Sequence, residues 1–466
     1  MTNVDVPTLD SRDVMSGGDR HAALVDQIRL FATTGADDRI PRLLDLMLDG
    51  VGVAVAGRTA HAGSVAASVF GAAATPWDAA WLHGMQMHAL DFDDTHEPSL
   101  CHTATALLPG LLALGRAHRR SGRDLLDAYD LGIRFVDVAS ACGPALNTAG
   151  AHSTAILGSL GSAVACGWLL THDADMTADA VEVAALLAAG LGAAFGTDGK
   201  PLQAARASEI GVRAATFVAA GLNAPRGAAF GDQGVLALWL GVDAPNTVRW
   251  GDECAGAAGL VAIKPYPSCF LTHSTIDGTL SLRRSLDLHG AANVKRMSIE
   301  VHPLAAQIAD KTSLGAENAK FSLRYCALAA ITDERVNVDT FGTATQQRLV
   351  DDAGSFESWV SRVSVRTDPA APALAARISL QTADGRERAI TVEAPRGSRS
   401  EPLTRDDVIA KFRDNASGQY DTNSVQRLLD DVMGMPTAPD IAALELLTSA
   451  CTAAAPSTLW GMNGNS

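Results

Sequence analysis

The sequence has no Cys-x-x-Cys pair, and its seven cysteines are scattered along the 466 residues. An odd number of scattered cysteines argues against a disulfide framework and against a zinc ribbon, and it predicts reduced thiols in a cytoplasmic protein. The chain also has no GxGxxG or GxxxxGK(S/T) loop, which argues against a nucleotide-dependent enzyme. Internal repeats and low-complexity tracts are missing as well.

Long hydrophobic runs are also missing. The longest apolar run, residues 155–170, is shorter than the roughly 18 to 20 residues that a bilayer span needs, and it contains serine and glycine. We therefore expect a buried helix there. The first 20 residues mix acids and bases without an apolar core, so we expect a flexible arm over residues 1–20 rather than a signal peptide.

Positive charge is in short supply, because 37 Lys and Arg residues face 52 Asp and Glu residues and the formal net charge is −15. Such a field repels phosphate backbones and anionic lipids, so nucleic acids and membrane surfaces are not expected partners. A small anionic substrate remains compatible with this charge. A local cluster of cations in a cleft outweighs distant surface charge, which salt screens within roughly 10 Å.

The pattern of apolar residues predicts a mainly α fold with an α+β part. Between residues 21 and 260, apolar residues recur at helical spacing or surround whole segments, which indicates helices packed on helices. After residue 290, the segments 294–302, 359–367, 376–382 and 387–394 alternate apolar with polar residues, as strands with one wet face do. Asp384-Gly385 suits a tight hairpin turn between the last two. Thr404, with Asp407 three residues on, predicts the start of a further helix.

The segment "HALDFDDTHEPSLCH", residues 88–102, concentrates acids and histidines between apolar stretches. If residues 88–95 are helical, Asp91 and Thr95 share one face, and Pro98 then stops the helix so that His102 arrives from beyond it. Three interpretations compete: a solvated helix end, a divalent-metal or diphosphate site, and a proton-transfer site. The segment alone does not decide between them.

Several other polar residues lie in apolar surroundings. His152 opens an apolar helix, and Lys200 lies in a loop between two helices. Lys264 and His273 flank a proline-containing segment at the expected boundary between domains, where binding clefts are common. Each of these residues, taken singly, is better explained as a cap, a core group or a solvated side chain, and Tyr325 by itself would be assigned to the core.

Taken together, these segments resemble the MmgE/PrpD family, whose members include 2-methylcitrate dehydratase, cis-aconitate decarboxylase and iminodisuccinate epimerase. The resemblance runs from "LDGVGVAVAG" (48–57) through "HALDFDDT", "GAHSTAILGSLGSAVA", "FGTDGKPLQAARASEIGV", "IKPYPSCFLTHSTIDG", "IEVHPLA" and "FSLRYCALAAI" to "LTRDDVIAKF". It implies a large all-helical domain over residues 21–263 and 402–466, with a smaller α+β lid inserted at residues 264–401. A family-like homodimer is also implied.

The resemblance also implies a set of site residues. Catalytic roles are expected for His102, His152, Asp91, Lys264 and Tyr325. Substrate-binding roles are expected for Thr95, Lys200, His273 and His96. His102 is one residue further from Thr95 than in the decarboxylases of the family, so His96 is the alternative to it. Gln203 stands where the family usually has a histidine.

The implied activity is that of a lyase or isomerase acting on a di- or tricarboxylic acid. Dehydration and epimerisation begin with removal of an α-proton, whereas decarboxylation leaves a carbanion to be protonated. Cationic donors in a dry site stabilise the resulting enolate-like charge, and histidines supply acid and base. This scheme uses no metal and no organic cofactor. The alternatives are a metal-dependent hydrolase or diphosphate lyase that uses residues 88–102, and a carboxylate-binding protein without catalysis.

Overall fold

The structure is a computed structural model that describes residues 16–71 and 73–443. Most of the expected N-terminal arm, the end of the expected C-terminal part and Cys451 lie outside these residues. The first helix begins at Gly17, inside the arm expected over residues 1–20. Ser16 caps this helix: its hydroxyl accepts from the Asp19 N–H, and the Asp19 carboxylate accepts from the Ser16 N–H.

Helices form nearly all of the regular structure up to residue 260, which confirms the mainly α fold. In chain order they are α1 (Gly17–Thr33), α2 (Ile40–Gly57), α3 (His61–Phe70), α4 (Pro76–His88), α5 (Thr103–Ala117), α6 (Gly122–Val138), α7 (Cys142–Thr148), α8 (Ser153–Thr171), α9 (Ala174–Leu187), α10 (Gly199–Ala219) and α11 (Val235–Leu240). Two short strands, β1 (Thr95–His96) and β2 (Val261–Ala262), pair antiparallel beside them.

Helix α8 lies at the centre of this helical part and packs against α5, α6, α9 and α10. By length and composition alone it could cross a membrane, and among the described residues it is the one helix that could. Most of its residues are buried inside the protein, as expected for residues 155–170. Small residues permit this packing, since a Cβ on Gly161 would lie 2.6 Å from the side chain of Val136.

The next part of the chain combines helices with a four-stranded sheet. Its elements are α12 (His273–Leu286), β3 (Val294–Val301), α13 (Pro303–Ala309), α14 (Ala316–Lys320), α15 (Leu323–Thr332), α16 (Thr343–Asp352), α17 (Phe356–Arg362), β4 (Val363–Thr367), β5 (Ala376–Thr382) and β6 (Glu387–Val392). The strand order is β4-β3-β5-β6, with β3 and β4 parallel and the other pairs antiparallel. We call residues 264–401 the α+β segment. The hairpin predicted at Asp384-Gly385 joins β5 to β6, and Gly385 has a φ of 94°.

Only the second half of one predicted strand is extended in the structure. Residues 359–367 were expected to be extended throughout, but α17 runs to Arg362 and β4 begins at Val363. The Ser355 hydroxyl accepts from the N–H of Ser358 and caps the helix, and the indole of Trp359 is fully buried and donates to the carbonyl of Arg324. Capping and burial of one large aromatic residue therefore override the alternating pattern.

The chain then returns to the helical part through α18 (Arg405–Ser417) and α19 (Thr422–Met433). Thr404 and Asp407 form the predicted capping box at the start of α18. Phe412 is fully buried against α2, where a Cβ on Gly52 would lie 2.9 Å from its ring. The six described cysteines are free and buried, in agreement with the reduced thiols expected from the sequence.

Replacing Phe412 by alanine should lower the free energy of unfolding by about 3–5 kcal/mol, because the cavity would open between α2 and α18 and the surrounding helices relax only partly. Urea denaturation measures this loss. The matched control is Arg413→Ala on the exposed side of the same helix, which should change the free energy by less than about 0.5 kcal/mol. Equal effects of the two substitutions would contradict the docking of α18 on α2.

Candidate active site

The acidic segment begins where α4 ends at His88. The helical interpretation of residues 88–95 is wrong, because Asp91 has a φ of 50° and its N–H donates to the carbonyl of His88 at 3.0 Å. Aspartate tolerates this left-handed conformation better than most residues do. The turn separates Asp91 from Thr95, which lies in strand β1 instead of one helical turn further on.

The short β1–β2 ladder brings a distant lysine to this turn. Thr95 pairs with Ala262, and Lys264 follows β2 two residues later. Its ammonium group, fully buried, donates at 2.8 Å both to the backbone carbonyl and to the Oδ1 of Asp91. The strand pair therefore holds together two residues that are 173 positions apart in the chain.

Asp91 is shared between two ammonium groups. Lys200, in the first turn of α10, donates from Nζ to Asp91 Oδ1 at 2.8 Å, the distance also found for Lys264. Burial acts to raise the pKa of Asp91, but the two ammonium groups more than offset this effect and hold the pKa well below its usual value. Burial likewise acts to lower the pKa of Lys264, whereas the Asp91 carboxylate raises it above the usual value. One carboxylate thus accepts hydrogen bonds from two lysine side chains.

His102 caps this cluster from the start of α5. Its Nδ1 lies 2.6 Å from the backbone carbonyl of Asp94, which only accepts, so Nδ1 carries the proton. Nε2 is then the unprotonated nitrogen, and it accepts from Lys200 Nζ at 3.3 Å. Burial, followed by the charges of Lys200 and Lys264, holds the pKa of His102 well below its usual value. His102 is therefore a neutral imidazole.

His152 lies just before α8, and its ring packs edge-on against Phe195 with 5.2 Å between the ring centroids. Its Nδ1 is 3.0 Å from Oε1 of Gln203, and its buried Nε2 has no hydrogen-bond partner among the described residues. Burial, followed by the charge of Lys200, lowers the pKa of His152 to about 3. This imidazole is also neutral.

A cavity of about 50 Å³ separates these side chains, enough for one or two water molecules. Its polar wall combines the residues described above with hydroxyl and amide groups. These polar residues are Asp91, Thr95, His102, Asn147, His152, Ser153, Lys200 and Lys264. The opposite wall is apolar and is formed by Leu100, Phe195, Cys269, Phe270, Leu271, Ile308 and Phe321.

Six of the nine residues expected at the site line this cavity, and three do not. His96 is fully buried elsewhere, with Nδ1 2.8 Å from the Ser99 hydroxyl and Nε2 3.4 Å from Asp137, so it does not replace His102. His273 donates from Nε2 to the carbonyl of Ser268 at 3.2 Å and packs between aromatic rings.

Tyr325 is the third expected residue that lies away from the cavity. Its hydroxyl donates to the carbonyl of Thr340 at 2.6 Å, and its ring packs near Phe341 and Phe356 in the core of the α+β segment. Helix α15 turns this ring inward, as the residue type alone suggested. The assignment of Tyr325 to the site rested on the family resemblance, and the geometry does not support it.

Asp93 and Asp94, two further acids of the segment, are buried and structural. Asp94 accepts from the Thr103 hydroxyl and from the Ala104 N–H, so it caps α5 from outside the helix. Burial, followed by the nearby charge of Asp93, raises the pKa of Asp94 to about 7. Asp93 accepts from His88 Nδ1 at 2.9 Å. Neither acid is solvated, contrary to the water-facing interpretation.

Sequence reasoning missed the aromatic wall and the partner of His152. Phe195 and Phe321 approach Lys200 at 6.0 and 5.2 Å from ring centroid to Nζ and exclude water around it. From the sequence, Gln203 stands out only because the family usually has a histidine at this position. Its position three residues after Lys200 in a helix was the available signal, because side chains at that spacing share one face.

The cluster of His88, Asp91, Asp93 and His102 also has the composition of a metal site, since one ligand atom from each lies within 4.8 Å of the others. Several of its donor atoms are already engaged, whereas Nε2 of His88 and Oδ2 of Asp91 have no hydrogen-bond partner among the described residues. Asp91 Oδ1 accepts from two ammonium groups, and Nε2 of His102 accepts from one of them. A divalent cation in this cluster would lie beside two buried positive charges, which disfavours it.

The comparisons with known proteins agree with this architecture. Residues 31–247 match the MmgE/PrpD N-terminal domain, and residues 266–434 match the MmgE/PrpD C-terminal domain. The chain belongs to the MmgE/PrpD family. The family resemblance of its motifs is thereby confirmed.

Named relatives in this MmgE/PrpD family are cis-aconitate decarboxylases. The cis-aconitate decarboxylase of Homo sapiens is 27% identical over 399 residues, which cover 80% of this chain and 79% of the relative. The enzyme of the same name from Aspergillus terreus is 23% identical over 407 residues, covering 80% of this chain and 81% of the relative. A cis-aconitate decarboxylase-like protein, oryM, of Aspergillus oryzae is 26% identical over 405 residues, covering 80% and 82%.

Replacing Asp91 by asparagine in this MmgE/PrpD protein should lower the free energy of unfolding by about 3–5 kcal/mol at neutral pH, because two buried ammonium groups lose their counter-charge. The native pKa of Asp91 is depressed, so its stabilisation is complete above the unfolded pKa of about 3.9 and is lost as the pH falls towards the native pKa. The difference between wild type and variant should therefore shrink on acidification below about pH 4.

Denaturant unfolding of both proteins over a pH series measures this difference. Asp406→Asn, at an exposed position of α18, is the control and should leave the curve unchanged. A difference between wild type and Asp91→Asn that grows on acidification would contradict the shared-carboxylate geometry.

Proposed function

We propose that this protein is a lyase that acts on a di- or tricarboxylic acid through an enolate-like carbanion beside a carboxylate. The observation that carries this proposal is that two lysines bound to one aspartate line the same cavity as His152, whose Nε2 has no hydrogen-bond partner among the described residues. The names of the relatives favour decarboxylation among the reactions of the family. Dehydration and epimerisation use the same carbanion and are the other outcomes of the test below.

The lysines are the anion-binding part of the site. Lys200 and Lys264 both donate to Asp91 at 2.8 Å, so two ammonium groups share one carboxylate at the cavity. An incoming carboxylate would share these ammonium groups with Asp91. Because the other residues that line the cavity are largely apolar, the same ammonium groups would stabilise the negative charge that develops on the substrate carboxylate in the transition state.

His152 is our candidate for proton transfer at carbon. Its unprotonated Nε2 accepts an α-proton in a dehydration or epimerisation. In a decarboxylation the electron pair of the broken C–C bond remains on the substrate, and a proton must then be delivered to that carbon. A bound carboxylate beside the ring favours the imidazolium form, which would supply this proton. His102 accepts a hydrogen bond from Lys200 through Nε2 and would hold the ammonium group of that lysine in place.

Substrate entry requires the cavity to widen, since about 50 Å³ does not hold a dicarboxylic acid. Five of its apolar residues belong to the α+β segment, namely Cys269, Phe270, Leu271, Ile308 and Phe321, whereas Phe195 belongs to the helical part. We therefore propose that the α+β segment acts as a lid that opens for the substrate and closes over it to exclude water. A homodimer remains the family-based expectation, and a cytoplasmic location remains the expectation from the scattered cysteines.

Replacing His152 by alanine should reduce turnover by about 10²- to 10⁴-fold, since the proton-transfer group is lost. Lys264→Ala should reduce it by at least about 10²-fold, through loss of charge stabilisation. Tyr325→Phe is the matched control: its hydroxyl bonds to a carbonyl away from the cavity, so turnover should remain at the wild-type level. Full activity in both site variants would contradict the proposal.

The assay for these variants first identifies the carboxylic acids that the protein binds. Succinate, citrate, aconitate and iminodisuccinate analogues are screened, and each ligand that binds is incubated in deuterium oxide. Deuterium at the carbon beside a carboxylate, dependent on His152, indicates carbanion chemistry, and release of carbon dioxide identifies the decarboxylase. Tight binding without exchange or product would instead support a carboxylate-binding protein without catalysis.

The metal-dependent hydrolase or diphosphate lyase is the rival suggested by the His88, Asp91, Asp93 and His102 cluster. Turnover of the carboxylic acid should persist in chelator, and elemental analysis of the purified protein should find no stoichiometric divalent metal. The reason is that Lys200 and Lys264 supply the positive charge that a metal would otherwise provide. Loss of metal coupled to loss of activity would favour the rival.

A further inference from the structure

The amide of Gln203 receives two hydrogen bonds on one atom. The backbone N–H of Leu191 donates to its Oε1 at 3.2 Å, and Nδ1 of His152 lies 3.0 Å from the same oxygen. A backbone N–H only donates, so the contact with Leu191 identifies this end of the amide as the oxygen. Nδ1 of His152 must then be the donor of the second hydrogen bond.

The neighbouring backbone holds this arrangement in place. His152 donates its own N–H to the carbonyl of Gly190 at 3.2 Å, and Ala151 bridges to Leu191. Gly190 approaches so closely that a Cβ there would lie 2.4 Å from Ala155 and 3.1 Å from Gln203 Oε1. Residues 190–191 therefore hold the amide and the imidazole together on one side, and helix α10 positions Gln203 on the other.

A proton on Nδ1 leaves the lone pair of the ring on Nε2. That nitrogen is buried and without a partner among the described residues, and the ring lines the cavity. The charged and titratable groups that act on the ring are Lys200, His88 and Asp91. None of them is hydrogen-bonded to either ring nitrogen, so the Gln203 amide is the contact that selects the tautomer.

We propose that Gln203 is the positioning residue that holds His152 as the neutral Nδ1–H tautomer and so presents Nε2 to the substrate carbon. An amide suits this role because it accepts from Nδ1 without a charge that would favour the imidazolium in the free protein. A glutamate of the same shape would retain the hydrogen bond and add that charge. The proposal deepens the proposed function, on which its kinetic consequence rests, but the tautomer itself is a property of the ligand-free protein.

The test is the ¹⁵N spectrum of histidine-labelled, ligand-free protein, with His152→Ala used to assign the resonances of this ring. Wild type should show a protonated Nδ1 and an unprotonated Nε2 at pH about 6.5. Gln203→Leu, which keeps the size of the side chain and removes the acceptor, should give a mixture of both tautomers. Gln203→Glu should retain the proton on Nδ1 and shift the titration of His152 upward. Gln347→Leu, on the exposed face of α16, is the matched control and should change nothing.

An unchanged His152 spectrum in both Gln203 variants, with their thermal unfolding midpoints also unchanged, would overturn the inference. Once a substrate is in hand, Gln203→Leu should lower kcat by at least about tenfold with little change in KM, since it affects proton transfer and leaves the lysines in place. A tautomer that responds as expected in a protein without carbanion chemistry would support this inference and contradict the proposed function. An active enzyme in which the tautomer of His152 does not respond to the Gln203 substitutions would support the proposed function and contradict this inference.

Discussion

The site depends on one oxygen atom, the Oδ1 of Asp91, which accepts from the ammonium groups of both Lys200 and Lys264 at 2.8 Å. These three residues come from the turn after α4, the start of α10 and the segment after β2, so the contact joins distant parts of the chain. Burial acts to raise the pKa of Asp91 and to lower that of Lys264, whereas the attraction between their charges reverses both shifts. The left-handed turn at Asp91 and the β1–β2 pair both serve to bring these groups together.

The charge arrangement explains how acids and an anion-binding cavity coexist in one segment. The Oδ1 of Asp91 accepts from both lysines. Asp93 accepts from His88, and Asp94 accepts from the start of α5. Burial, followed by the charge of Lys200, lowers the pKa values of the two cavity-lining histidines. The site thus offers cations to bind an anion and neutral imidazoles to exchange protons, which are the two requirements of carbanion chemistry.

Much of the fold was predictable from the sequence, because its signals are local. Helical spacing, the capping box at Thr404 and the Asp-Gly turn each predicted an element that is present. The errors arose where tertiary contacts override local pattern. Burial of the Trp359 indole favours a helix where the pattern predicted a strand. The turn at Asp91 is held by buried contacts with lysines more than a hundred residues away in the chain. Six of the residues named from the family resemblance line the cavity, whereas the inward orientation of Tyr325 depends on packing that no motif records.

The central claim is that the two lysines around Asp91 receive the substrate carboxylate while Nε2 of His152 faces the carbon beside it. A crystal structure with bound succinate tests this claim most directly. The account predicts one carboxylate within hydrogen-bond distance of both ammonium groups, with the adjacent methylene carbon in contact with His152 Nε2. Succinate bound elsewhere, or bound with its methylene carbons turned away from His152, would contradict it.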